Sequence, residues 1–298
     1  MRRHLVEMHA EEQTAPDAWQ PFTFAGVAAF ATARTSRLLL VQGIVSLACA
    51  ACMAVFFHAA WSNSISAAIE QLPDEGGIRN GELTWGGRAP QRLGAGTFLS
   101  LVVDPDGSGE LGEAADVEFI LTRVELRIRS LFGYAALKYP GGVVIPLTRA
   151  ELQPWWGARR PVILGWVALG SILWLLAMWS LLALIYTIPL RVIAFYRDRK
   201  LLLAEAWRLG GAAVLPAALF MSVALMGYLI HRLNLLQLLA AGVAHVLIGW
   251  MFAFSAVGHL KALSVTPGSP GRASNPFTVA SNAQAPEASD ESGKSKDD

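Results

Sequence analysis

The chain predicts an α-helical integral membrane bundle of four spans with an inserted all-β extracytoplasmic domain, and three observations carry that prediction. Its 298 residues are 54% hydrophobic and only 16% charged, with a mean hydropathy of +0.42, a balance found in polytopic membrane proteins rather than soluble domains. Four apolar runs, 38–61, 161–190, 209–230 and 235–258, contain no Asp, Glu, Lys or Arg. Between the first two lies 62–160, a polar segment with strand-like patterning and no histidine or cysteine.

Residues 1–37 read as a cytoplasmic N-terminal segment. Within them Trp19, Phe22, Phe24 and Phe30 lie close to Arg34 and Arg37, a composition suited to a candidate interfacial helix or to a simple extension of the first span. The 24 residues of 38–61 exceed the ~30 Å hydrocarbon core at 1.5 Å per residue. They are too long for the apolar region of a cleaved signal, so they read as an uncleaved signal anchor. Gly43, Ser46, Ala50 and Ala54 form a stripe of small residues for helix approach. Cys49 and Cys52, the only cysteines, have no polar surroundings to lower a thiol pKa and read as packing residues.

The polar segment opens on a helical extension that Pro73 ends. Asn80-Gly81 between two strand-like runs predicts a tight hairpin, because both turn positions need positive φ. The run 97–103 (TFLSLVV) is apolar enough to be buried on both faces. Ile120, Thr122, Val124, Leu126 and Ile128 alternate with Leu121, Arg123, Glu125, Arg127 and Arg129, the period of a half-exposed strand. With GYAALKY and GVVIPL this makes about six strands, expected as a small antiparallel sandwich or meander. Thr148 and Glu151 have capping-box spacing at the start of the next helix. Trp61, Trp155 and Trp156 then mark one membrane interface, with Arg159 and Arg160 beside them.

Orientation follows from the Lys and Arg counts of the short connections. Residues 1–37 carry four, the basic loop 191–208 carries five (Arg191, Arg197, Arg199, Lys200 and Arg208), the tail from 259 carries four, and the turn 231–234 carries one. With four spans the three richer segments share a side, so both termini are expected in the cytoplasm of a cytoplasmic (inner) membrane. The 62–160 segment has ten basic and twelve acidic residues and is extracytoplasmic. The tail 264–298 is rich in Pro, Ser, Gly and Asn and is expected to be disordered.

LPDEGGIRNGELTW (72–85), VDPDGSG (103–109), SLFGY (130–134), YPGG (139–142) and ELQPWWGA (151–158) resemble an uncharacterised family of bacterial multi-pass membrane proteins with an extracytoplasmic β-rich domain after the first span. The C-terminal LLLAEAWRLGGAAVLPAAL is loosely similar to Yip-type membrane families. The resemblance implies topology and no activity.

Among motifs that could carry chemistry, Asp104, Asp106, Ser108 and Glu110 occupy EF-hand-like oxygen positions, but Ala115 stands where the bidentate Glu belongs. The stretch therefore reads as an Asp/Gly-rich β-turn before it reads as a calcium site. Without His or Cys in 62–160, the usual Ser-His, Cys-His and zinc constellations are missing from the polar domain. Gln42, Gln237 and His245 are the intramembrane polar residues, and an ionisable group there is a functional candidate by default. No carboxylate or Lys in any span could partner His245, so a neutral imidazole hydrogen-bonded across the bundle is expected.

No catalytic set and no cofactor motif emerges. The chain reads as a non-enzymatic binding, sensing or scaffold protein whose partners are the lipid bilayer and other membrane proteins or a second copy, not nucleic acid. The alternatives are a small-solute transport component or a lipid-modifying membrane enzyme.

Overall fold

A computed structural model describes residues 20–109 and 115–262. The expectations for 1–19, for Glu110 and for the tail 264–298 lie outside the described residues. The described part holds four helices long and apolar enough to cross a membrane and a β-rich region of two sheets.

Helix α1 (Phe24–Ala29) opens on Thr23, whose hydroxyl accepts from Gly26 N at 3.0 Å. Val27 and Phe30 are fully buried, and Phe24 packs on Phe252 at 4.9 Å. This short helix is thus part of the bundle core. Helix α2 (Thr35–Phe56) passes through a π-helical turn (Phe57–Ser62) into α3 (Asn63–Glu70). The whole is one rod of 36 residues, about 54 Å long at 1.5 Å per residue.

The β-rich region follows. Strands β1 (Gly76–Arg79) and β2 (Glu82–Trp85) form the predicted hairpin. Asn80 and Gly81 have φ of 52° and 82°, the left-handed pair that a type I′ turn demands. Strand β8 (Val144–Pro146) joins the free edge of β1, where Pro146 needs no ladder donor. The second sheet has the order β3-β4-β5-β6-β7, from β3 (Gln91–Ala95), β4 (Leu99–Val103), β5 (Val117–Leu121), β6 (Glu125–Ser130) and β7 (Gly133–Lys138).

Three features depart from the expected meander. The described residues hold eight strands rather than about six, the run 120–129 expected as one strand turns at 122–124 into the antiparallel pair β5 and β6, and β4 pairs with β5 in parallel, Leu99 opposite Val117 and Val103 opposite Leu121. Thirteen residues separate β4 from β5, enough for the crossover a parallel pair requires. Both sheets contribute to one apolar cluster, Ile78 and Leu83 from the first and Leu93 and Val103 from the second, closed by Ala68 of α3. Gly94 makes that closure possible. A Cβ there would lie 2.5 Å from the Ser64 carbonyl oxygen.

Helix α4 (Arg149–Tyr196) runs 48 residues, well past the apolar run 161–190, because Arg149-to-Arg160 is itself helical. Thr148 stands at its N-cap without a side-chain capping bond. Helix α5 (Leu203–Leu229) is the most enclosed, packing on α2, α4 and α6 (Leu235–Val257). Its buried small residues explain that position. Gly210 lies against Ala183, and a Cβ on Gly211 would come within 3.1 Å of Gln42 Nε2 and 3.2 Å of Leu38 Cδ2. In the expected stripe, Ser46 and Ala50 are buried, but a Cβ on Gly43 would meet nothing within 4 Å. The close approach is thus supplied mainly by the glycines of α5.

Candidate functional site

The richest junction lies where the β-rich region meets one end of the bundle. The loop between β3 and β4 places Phe98 against that end, and Phe98 is only 7% exposed. Its ring meets Tyr228 edge-on at 4.8 Å, lies flat over His231 at 5.1 Å and touches Phe56 at 5.6 Å. Each such pair adds ~0.5–1.5 kcal/mol beyond its buried area. His231 reaches this position by adopting φ of 58° in the turn between α5 and α6. The Tyr228 hydroxyl donates to the Asp116 carboxylate just before β5. Aromatic packing and one polar contact therefore seat the sheet on the bundle.

Beside this seat opens an apolar groove of about 430 Å³, lined by Phe56, Trp61, Phe98, Phe119, Phe132 and Tyr228 among others, with Asp116 and Ser130 as its polar groups. Trp61, delivered by the π-helical turn, stands edge-on to Phe119 at 6.2 Å. Leu131 and Phe132 at the β6–β7 turn are 60% and 78% exposed. A smaller pocket of about 180 Å³ adjoins, sharing Asp116, Ser130, Leu131 and Leu235 and adding Glu118 and Arg129. Glu118 is buried and lies 3.6 Å from Arg129. The pair can neutralise charge that the interior would otherwise penalise.

The sequence-derived candidates fall elsewhere. Asp104 caps its own turn, its two oxygens accepting from Ser108 N at 3.1 Å, Ser108 Oγ at 3.2 Å and Gly109 N at 2.9 Å. Burial works against its charged form, but these hydrogen bonds and one from Gly107 prevail and hold the carboxyl below the usual range. Asp106 pairs with Arg123 at 3.0 Å. Among the described residues no three His, Cys, Asp or Glu converge for a metal.

Trp155 is exposed and carries the Arg159 guanidinium 5.0 Å above its ring. Trp156 is instead buried, donating to Ser66 Oγ at 2.9 Å and so tying α4 to α3. Arg160 Nη2 reaches His58 Nδ1 at 3.1 Å and Asn63 Oδ1 at 3.4 Å. At the other end of the bundle, Arg199 donates to the Leu260 carbonyl and Arg208 to the Ala31 carbonyl, while Arg197 Nη1 lies where a Cβ on Gly258 would meet it at 3.2 Å. Arg191 and Lys200 are exposed there. Arg197 caps the C-terminus of α4, and Arg199 and Arg208 reach carbonyls just beyond the C-termini of α6 and α1, where the macrodipole favours positive charge.

Gln42 is fully buried and donates to the Gly211 carbonyl at 3.1 Å. His245 Nδ1 donates to the Ala217 carbonyl at 2.8 Å. Gln237 closes a capping box with Asn234 in the first turn of α6, with bonds of 2.8 and 2.9 Å, so its amide satisfies a helix start.

Sequence reasoning missed Phe98, Tyr228, His231 and Asp116, whose positions in the chain span more than a hundred residues. Phe98 stands in an apolar run whose pattern does not mark it out. Compared with known proteins, the chain matches no family model, no curated protein and no solved structure.

Proposed function

We propose that the chain is a non-enzymatic multi-pass membrane protein, with both termini cytoplasmic and residues 62–160 extracytoplasmic, that binds or senses an apolar ligand at the junction of sheet and bundle. The single observation that carries this reading is the groove lined by Phe56, Trp61, Phe98, Phe119 and Phe132. Its apolar walls suit a hydrocarbon body, and Asp116 and Ser130 suit a hydrogen-bond donor at one end of that body. The groove opens beside Trp61, at the end of the first apolar run, so the ligand enters from the lipid or its surface.

A transport role has less support. Gln42 and His245 both engage backbone carbonyls, which leaves them as interhelical ties rather than steps of a relay.

The reading is tested on the full chain reconstituted in nanodiscs with a fluorescent hydrophobic probe such as an aminonaphthalene dye. The probe should bind, a long-chain alcohol should displace it, and the double change Leu131→Ser with Phe132→Ser should weaken it about tenfold, the scale expected from losing ~1.4 kcal/mol of apolar contact. Equal binding by the variant would count against the groove. Topology has its own check: export-dependent reporters fused at Gly107 should be active, and those at Lys200 or after Lys261 inactive.

A further inference from the structure

The groove leaves one arrangement at the same end of the bundle unexplained. Arg160 of α4 faces the π-helical turn and α3, where it meets the His58 ring nitrogen at 3.1 Å and the Asn63 amide oxygen at 3.4 Å. A guanidinium can only donate, so both partners accept, and neither supplies a negative charge. Neither Arg160 nor its neighbour Arg159 takes part in an ion pair among the described residues. Arg159 is held over the Trp155 ring at 5.0 Å, which orients it without neutralising it.

Position sharpens the point. Arg160 immediately precedes the thirty charge-free residues of 161–190, and His58 lies three residues before the end of the charge-free run 38–61. The cluster therefore stands where two apolar helix lengths end. Towards those apolar lengths the surface is hydrophobic, with Val55 52%, Val162 56% and Trp166 68% exposed. Two guanidiniums at an apolar-to-polar boundary, with no carboxylate paired to them among the described residues and an apolar track beside them, match an amphiphile whose charge is negative and sits next to its chains. Arginine's planar fork suits a phosphate oxygen pair better than a lysine ammonium would.

We propose that Arg160, His58 and Asn63, flanked by Arg159, form a binding notch for the phosphate of a membrane phospholipid. Arg160 supplies the fork, and His58 and Asn63 hold it in place from the neighbouring helix. The proposal rests on the membrane placement above but not on the groove, with which it shares no residue.

The test uses the full chain in nanodiscs of phosphatidylcholine doped with phosphatidylglycerol, with retained lipid counted by native mass spectrometry after transfer to mild detergent. The wild-type chain should retain phospholipid that millimolar inorganic phosphate does not displace. Arg160→Gln should lower occupancy about tenfold and Arg160→Lys by less, since the charge survives and the fork does not. Asn63→Asp guards against a variant that fails to fold. It places a carboxylate beside Arg160, so it should keep or raise the melting temperature while competing with the phosphate and reducing bound lipid. Unchanged lipid occupancy in Asn63→Asp overturns the proposal, as does displacement by free phosphate. Failure of the chain to enter nanodiscs would overturn the membrane reading with it, whereas normal insertion with no variant effect would defeat the notch alone.

Discussion

In the bundle, Gln42, Thr187 and His245 each donate one hydrogen bond to a helix carbonyl, whereas in the β-rich region Asp104, Arg127 and Tyr139 hold turns and strand ends through groups that titrate. Arg127 bonds Glu125 at 2.8 Å, and that hydrogen bond raises its pKa. The Tyr139 hydroxyl donates to the Thr122 carbonyl at 3.0 Å. The contrast follows from what each surrounding permits. A helix in an apolar setting has satisfied its own backbone, so a polar side chain can only add a bond to an existing acceptor. Short strands joined by turns leave donors and acceptors open, and charged side chains complete them.

The largest expected effect comes from breaking the link between the two regions. Phe98→Ala removes the ring that meets Tyr228, His231 and Phe56 and should cost about 3–5 kcal/mol. Hydrogen exchange should then show lost protection in β4 and β5 while α5 stays protected; equal loss in both would show that the regions do not unfold separately. Within the bundle, Gly211→Leu should cost about 1–3 kcal/mol by overpacking against Gln42 and Leu38. Gly43→Leu should fall within about 0.5 kcal/mol of wild type, as an open site allows. Steric-trapping measurements of unfolding in bicelles would separate the two, and a reversed order would refute the packing described for α5.

Titration sharpens the contrast further. Asp104 has a folded-state pKa below its ordinary value, so its stabilisation is complete above the ordinary carboxylate range and is lost as pH falls through the folded value. Tyr139 runs the opposite way. Burial first, and the charge of Glu125 second, push it up to about 12, so its contribution is complete below the ordinary tyrosine value of about 10 and is lost as pH rises beyond it. The β-rich region should therefore loosen at both pH extremes by circular dichroism. Asp104→Asn, costing about 1–2 kcal/mol at neutral pH through weakened hydrogen bonds, should flatten the acid limb. Gln42→Leu should have a small effect, about 0.6 kcal/mol, with no dependence on pH. A pH-dependent Gln42→Leu would mean that a titrating group communicates with the bundle core.

How much of this was legible in the sequence depends on the range of the signal. The four apolar helices and the Asn80-Gly81 hairpin are written in consecutive residues, and the chain alone discloses them. The parallel pairing of β4 with β5 is not, because an apolar run looks the same whichever way its neighbour points. The small residues of α2 were visible, but which of them faces a partner depends on α5, more than 150 residues away, and Gly43 faces none. The aromatic seat and the groove were hidden for a related reason. Phe98, Phe119 and Tyr228 each pass for ordinary hydrophobic residues until folding brings them together. His58 was concealed inside a run defined by the absence of charge, although its neighbour across the helix interface is an arginine.

The π-helical turn at Phe57–Ser62 bears on how this chain tolerates changes of length. Such a turn accommodates an extra residue within a helix while the segments on either side keep their facing. Removing one residue, for example Ala59, should let the rod close into continuous α-helix with Gln42 still against Gly211 and Ala68 still against β3. A deletion elsewhere in the same rod would rotate everything beyond it by about 100° and turn Ser64 and Ala68 away from Gly94. Natural variants that shorten this helix by one residue should therefore do so within these six positions, and they should lose the placement of His58 and Trp61 before they lose the fold.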